Sequence, residues 1–223
     1  MRKQTLIATL LILLIFNFSV FAQEEEEYQP NDILEVSLFG GFSSPQGGIT
    51  EWNYGLNADD GFNFGLDVGY FLNPNFVLGV NFTYTKFDIM APASFPEAEF
   101  TTHRLYNGNL YLKYIKLTTS NFEPFIKAYI GVENPKFTTY AQPPDIQDRL
   151  RLISYDPGFA YGISAGLFYF TSDYSGIYIE GKYHGASTSN VTADYHDMKF
   201  DFNENVKKFD INIGIRFLAG SKE

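Results

Sequence analysis

The stretch FNFGLDVGYFLNPNFVLGVNFTY, residues 62–84, decides the fold. Phe62, Phe64, Leu66, Val68 and Tyr70 hold every second position, and Asn63, Gly65, Asp67 and Gly69 fill the gaps. Side chains leave a strand alternately on its two faces, so this is a β-strand with one apolar face and one small, polar face. After Phe71-Leu72, the segment Asn73-Pro74-Asn75 reads as a tight turn, because Pro fixes φ and Asn tolerates left-handed backbone. The alternation then resumes, with Phe76, Leu78, Val80, Phe82 and Tyr84 against Val77, Gly79, Asn81, Thr83 and Thr85.

The same grammar recurs along the chain. Leu34, Val36, Leu38, Gly40 and Phe42 give a strand before the hairpin. Tyr106 to Tyr114, Ile126 to Val132, Tyr161 to Tyr169, Ile177 to Tyr183 and Phe209 to Phe217 give five more after it. Eight strands result, each close to the ~9–11 residues that a tilted strand needs to cross a bilayer. The links at Asn73-Pro74-Asn75, Leu117 to Asn121 and Thr171 to Ser175 are short. Those at Ser43 to Gly61, Asp88 to Thr102, Glu133 to Gly158 and Gly185 to Asn205 are long. Every second link is long, as in outer-membrane barrels, and every proline except Pro30 and Pro124 is read into a connection, as a hydrogen-bonded wall requires.

Arg2 and Lys3 precede an uncharged run from Leu6 to Phe21 that ends in Val20-Phe21-Ala22. This reads as a secretory signal peptide over residues 1–22; a membrane anchor would need a longer run. Residues 23–32, with the acidic run Glu24 to Glu27, read as a solvated segment, residues 33–218 as the barrel and 219–223 as a short tail. The chain contains no cysteine, which excludes a disulfide framework and a lipid-acceptor thiol. Its formal net charge is −10, and −12 once Arg2 and Lys3 are removed (−10 − 2). Nucleic acid and an anionic membrane surface both call for basic patches, so a chain of this charge is a poor candidate for either.

Which face points inward decides between a soluble ligand-binding barrel and a membrane barrel. On the apolar faces the aromatics sit at strand ends, as Phe62/Tyr70, Phe76/Tyr84, Tyr106/Tyr114, Tyr161/Tyr169 and Phe209/Phe217, and the middles are mostly aliphatic. Two aromatic rows flanking an aliphatic band are what the two membrane interfaces favour, and a soluble core has no reason to sort residues by depth. The other faces carry Gly, Asn and Ser with a balanced set of charges: Glu35, Asp67, Glu180 and Asp210 against Lys113, Lys127, Lys182 and Arg216. Buried charges persist when paired, so these eight are expected to form an ion-pair network in the lumen rather than a solvated surface. Eight strands enclose a lumen that side chains can fill, which argues against a wide pore.

The strand motifs PFIKAYIGV (Pro124 to Val132), YGISAGLFYF (Tyr161 to Phe170) and INIGIRF (Ile211 to Phe217) sit in an architecture that resembles the small eight-stranded outer-membrane β-barrels, the OmpA/OmpX-like and opacity-type porin group. The peptidoglycan-binding domain that follows the barrel in OmpA is not expected here. The resemblance implies an all-β, antiparallel, up-and-down transmembrane barrel, monomeric, with both termini in the periplasm. It implies outer-membrane lipid and lipopolysaccharide as surroundings. The terminal aromatic Phe217 looks like the signal read by the barrel assembly machinery.

Some barrels of this size modify lipid A, so catalytic groups were sought. His184 lies on the polar side of its strand with Glu180, and Ser187 and Ser189 follow; a serine within reach of the imidazole could support acyl transfer. A rim histidine in a polar network is the plainer reading. Asp194, His196 and Asp197, and likewise Asp59-Asp60, have no second cluster at ligand spacing and read as solvated loop, so no metal and no cofactor are expected. Trp52, Tyr54, Phe95, Phe100, Phe137, Tyr140, Tyr155, Tyr195, Phe200 and Phe202 enrich the long connections in aromatics. They serve either an extracellular ligand or surface partner or, if strands extend past the membrane, the capping of the barrel mouth. The expected role is structural or in surface interaction, without catalysis; a narrow channel for small solutes is the alternative, and acyl transfer comes third.

Overall fold

The computed structural model describes residues 33–50, 58–89, 100–140, 150–188, 191–193, 199–200 and 204–220. The segments read as signal peptide and acidic run, the loop aromatics Trp52, Tyr54, Phe95, Tyr195 and Phe202, and the Asp194, His196 and Asp197 group lie outside these residues. So do the side chains of Phe100, Phe137, Tyr140, Tyr155 and Phe200, although their backbones lie in strands.

Among the described residues eleven strands form: Leu34–Gln46 (β1), Ala58–Asn73 (β2), Phe76–Ile89 (β3), Phe100–Ile115 (β4), Phe122–Tyr140 (β5), Leu150–Tyr155 (β6), Gly158–Ser172 (β7), Ser175–Thr188 (β8), Val191–Ala193 (β9), Lys199–Phe200 (β10) and Glu204–Ala219 (β11). Eight of them, β1-β2-β3-β4-β5-β7-β8-β11, pair antiparallel in that order, and β11 returns to β1 over Leu34↔Ala219 to Gln46↔Lys207. Closure removes every sheet edge from the ring, the condition for a strand structure to stand in hydrocarbon. At the turn between β2 and β3 the Asn73 side-chain oxygen accepts the N–H groups of Asn75 (2.9 Å) and Phe76 (3.0 Å), which locks the reversal around Pro74.

The barrel strands are longer than the sequence pattern suggests, from 13 residues in β1 to 19 in β5. Pro45 and Pro135, read from sequence as loop residues, lie inside β1 and β5. The reason at Pro135 is local. Pairing of β5 with β7 ends at Glu133↔Gly158 and pairing with β6 begins at Lys136↔Ser154, so Pro135 sits where β5 changes partner and a missing N–H costs little. Beyond that point β6, β9 and β10 add to β5 as a small extension, inside spans read from sequence as loops.

The core lies inside the barrel and is built from rings laid on glycines. Phe39 covers Gly65, Tyr111 covers Gly69 and Gly79, Tyr129 covers Gly162, Phe125 covers Gly166, Phe168 covers Gly176 and Tyr178 covers Gly214. With Ile33, Phe71, Val77 and Ile115 these rings form one apolar cluster. A second cluster closes the loop end. There a 3-10 turn at Gly47–Thr50, entered through Gly47 at φ 74°, carries Ile49 to full burial among Ala58, Phe87, Leu105, Ala160, Ala186 and Val206.

A Cβ at Gly162 would lie 2.1 Å from the Tyr129 hydroxyl and 2.4 Å from the Tyr183 carbonyl, whereas one at Gly108, on the outer wall, would meet nothing nearer than Phe82 at 3.7 Å. Gly162→Ala is therefore expected to lower stability by more than about 2 kcal/mol and Gly108→Ala to change it by less than about 0.5 kcal/mol, measured by urea unfolding in vesicles. Equal effects would refute the ring-on-glycine account.

Candidate functional site

The outer wall and the lumen invert the arrangement of a soluble protein. From Phe122 to Val132 on β5, and over matching spans of the other barrel strands, the outward positions are apolar or Tyr and carry no charge. At ~3.3 Å per residue and ~40° tilt this band is about 25 Å tall, the height of a bilayer's hydrocarbon layer in such barrels. Ile213 is 66 % and Leu110 58 % exposed, while Lys182 and Glu180 are each 1 % exposed.

Of the aromatics expected in two rows, Phe62, Tyr70, Phe76, Tyr106, Tyr114, Tyr161, Tyr169 and Phe217 are exposed on the outer wall, and Tyr84 and Phe209 are half-buried there. Near the turn end Phe76 packs on Tyr114 (ring centroids 5.2 Å apart) and Phe122 on Tyr169 (4.8 Å). Near the loop end Phe64, Tyr84 and Tyr106 are register partners in series, with centroids 5.0 and 5.3 Å apart. Phe82 is exposed between Leu66 and Gly108, in the middle of the band, and breaks the sorting by depth.

All eight charges singled out in the sequence are buried inside the barrel. Lys127 holds two carboxylates, Asp67 at 2.8 Å and Glu180 at 2.9 Å. Asn81 also donates to Asp67, and the Ser164 hydroxyl donates to Glu180 at 2.6 Å. Lys113 pairs with Glu35, whose other oxygen lies 3.8 Å from Arg216 Nε. Arg216 Nη2 donates to Glu123 at 3.1 Å. Asp210 accepts from Ser43 and lies 3.5 Å from Lys208 Nζ. Lys182 departs from the expected pairing. Its ammonium donates to Thr83 (3.4 Å) and Asn81 (3.5 Å) and sits 4.6 Å above the Tyr129 ring. Arg216 lies 3.6 Å over Phe168, Lys127 5.3 Å over Tyr111 and Lys113 5.6 Å over Phe125, so the rings that fill the lumen also face its cations.

Sequence reasoning missed three members of this network, Glu123, Glu133 and Lys208, and with Glu133 the pairing of His184. Each lies on the strand parity already in hand, Glu123 and Glu133 with Lys127, and Lys208 with Asp210. Extending the alternation past the expected strand ends would have found them. His184 is fully buried, with Nε2 2.7 Å from Glu133 Oε2 and its ring stacked on Tyr129. The serine considered as its partner, Ser187, is exposed on the opposite face of β8, and Ser189 lies outside the described residues. At the bend that opens β2, Asp60 N–H bonds the Asp59 side chain at 2.8 Å. Among the described residues no cluster of His, Asp and Glu has the arrangement of a metal site. The cavity between Ser37, Asp67, Lys113, Lys127, Phe168 and Arg216 measures about 10 Å³, room for about one water.

No family model matches the chain, and no curated protein sequence does. Among solved structures the chain is similar to Neisserial surface protein A, with 15% identity, 83% of this chain and 96% of that chain covered and a TM-score of 0.51. It is similar to the outer membrane protein OprG from Pseudomonas aeruginosa, with 11% identity, coverage of 89% and 100% and a TM-score of 0.54. It is also similar to the outer membrane protein AlkL in lipid bilayers, with 13% identity, coverage of 91% and 97% and a TM-score of 0.52. The likeness is one of fold: a closed, eight-stranded, antiparallel barrel of the outer-membrane kind.

Lys127 neutralises two buried carboxylates, and Asp67 is one of them. Lys127→Met is expected to cost about 3–5 kcal/mol in urea unfolding, and Asp67→Leu distinctly less, since Lys127 then keeps Glu180. The reverse order would show that Lys127 is not the hub.

Proposed function

We propose that this chain is an exported, monomeric, integral outer-membrane protein with a structural or surface-interaction role, in which the barrel is a rigid base for the connections at its loop end. The observation that carries this reading is the filled lumen. Rings laid on glycines interleave with the ion-pair network, a second apolar cluster closes the loop end, and the cavity between Asp67, Lys113, Lys127 and Arg216 is about 10 Å³. A hydrated ion path needs a continuous polar opening, and rings against glycines on the one side and Ile49 on the other stand across it. Ser187 is exposed on the opposite face of β8 from the buried His184–Glu133 pair, and this separation weighs against acyl transfer. In this reading the short turns and both termini face the periplasm, the apolar band contacts lipid, and β11 with Phe217 is the strand that the assembly machinery reads.

The reading is tested in planar bilayers and on cells. Protein reconstituted at single-molecule dilution is expected to give no discrete conductance steps, and protease added to intact cells to cut only in the connections at the loop end. Reproducible steps would favour the narrow channel. A change in lipid A acylation that depends on the gene would favour the enzyme. A mature chain that dissolves without detergent and shows no heat-dependent shift on SDS gels would end the membrane reading.

A further inference from the structure

One outward row on β3, β4 and β5 interrupts the uncharged wall. Lys86 is the register partner of Arg104, and Arg104 of Lys136. The three lie one outward position beyond Tyr84, Tyr106 and Asn134, on the loop-end side of the aromatic row. Neighbouring strands stand only ~4.8 Å apart, and like charges directly opposite each other destabilise a sheet. Among the described residues no carboxylate forms an ion pair with any of the three, in a protein whose formal net charge is −10. Lys86 Nζ lies 5.7 Å from the Phe62 ring of β2 and Lys136 Nζ 5.6 Å from the Tyr106 ring of β4, so both ammonium groups lie against rings of the aromatic row. Asp88, the next outward residue of β3, stands further toward the loop end.

Directly below this row the wall is hollowed. A shallow, open depression of about 550 Å³ lies between Leu38, Phe64, Leu66, Phe82, Tyr84 and Tyr106. Gly108 contributes to it by facing outward with no side chain between Tyr106 and Leu110, with the Phe82 ring beside it. Its lining is apolar, and it lies within the band, at a depth that a water-soluble ligand does not reach.

We propose that the row and the depression form one site for an anionic, phosphate-bearing lipid, with the phosphate held by Lys86, Arg104 and Lys136 and one acyl chain lying in the depression over Gly108. An Arg fork beside two ammonium groups suits a phosphate at a membrane interface, and the phosphate removes the repulsion within the row. The site presupposes the membrane-spanning wall proposed above.

The test uses the full mature chain refolded in neutral-detergent micelles, with folding checked by the heat-dependent gel shift. Native mass spectrometry counts retained phosphatidic acid and phosphatidylcholine of equal chain length, with inorganic phosphate as a competitor. Wild type is expected to prefer phosphatidic acid on the order of 100-fold, from about fivefold for each of three cations. Lys86→Gln/Arg104→Gln/Lys136→Gln should abolish the preference, while Lys207→Gln, on the outward face of β11, should leave it intact. Gly108→Leu, whose Cβ has ordinary contact distances, should weaken retention of both lipids about tenfold and keep the preference. A triple variant that still prefers phosphatidic acid overturns the site, and undiminished retention by Gly108→Leu removes the depression from it. Displacement of the lipid by an equal concentration of inorganic phosphate would reassign the row to free phosphate. Failure of the membrane reading shows separately, as wild type that needs no micelle.

Discussion

Eight strands closed on themselves leave a lumen just wide enough for side chains to fill, and this constraint reaches nearly every described inward position. A charge placed there loses its hydration, so it has to find its counter-charge and its hydrogen bonds from neighbouring strands. Lys127 does so with Asp67 and Glu180, themselves held by Asn81 and Ser164. Arg216 does so with Glu35 and Glu123. These contacts link residues far apart in sequence, so the charge network stitches the barrel across its interior while the backbone ladder stitches it around.

The same shortage of space explains the glycines. A ring such as Tyr129 or Tyr178 can lie flat against the wall only where the next strand has no Cβ, and Gly162 and Gly214 stand at those places. The rings then present π faces to Lys182, Lys127 and Arg216, which lowers the cost of holding those cations away from water. Packing and electrostatics are thus one arrangement. At the loop end the turn at Gly47–Thr50 supplies Ile49, fully buried among Ala58, Phe87, Leu105, Ala160, Ala186 and Val206.

Much of this was legible in the sequence, because the period of two is set by backbone geometry and survives any change of neighbour. The eight strands, their order, the outward aromatics and the inward charges all follow from parity and from short and long links. What parity does not encode is distance across the lumen. Lys182 stands on the expected face yet takes Thr83 and Asn81 as partners, and nothing in its own strand says so. The aromatics Phe39, Tyr111 and Phe168 carried the inward parity in plain view, but the polar average of their strand faces hid the fact that they form a core. Strand ends were missed where proline suggested a loop, since the change of partner that makes Pro135 harmless depends on two strands later in the chain.

The outer band has a consequence for how such chains diverge. Lipid tails conform to whatever surface they meet, so an outward Ile can become Leu, Val or Phe without a partner that must change in step, whereas an inward glycine is tied to one ring. Half of each strand is thereby nearly free to drift. The barrels of the same fold described above share 11–15% identity with this chain. Relatives of this chain would be traced best by matching only the inward positions, where each glycine and its ring must be inherited together.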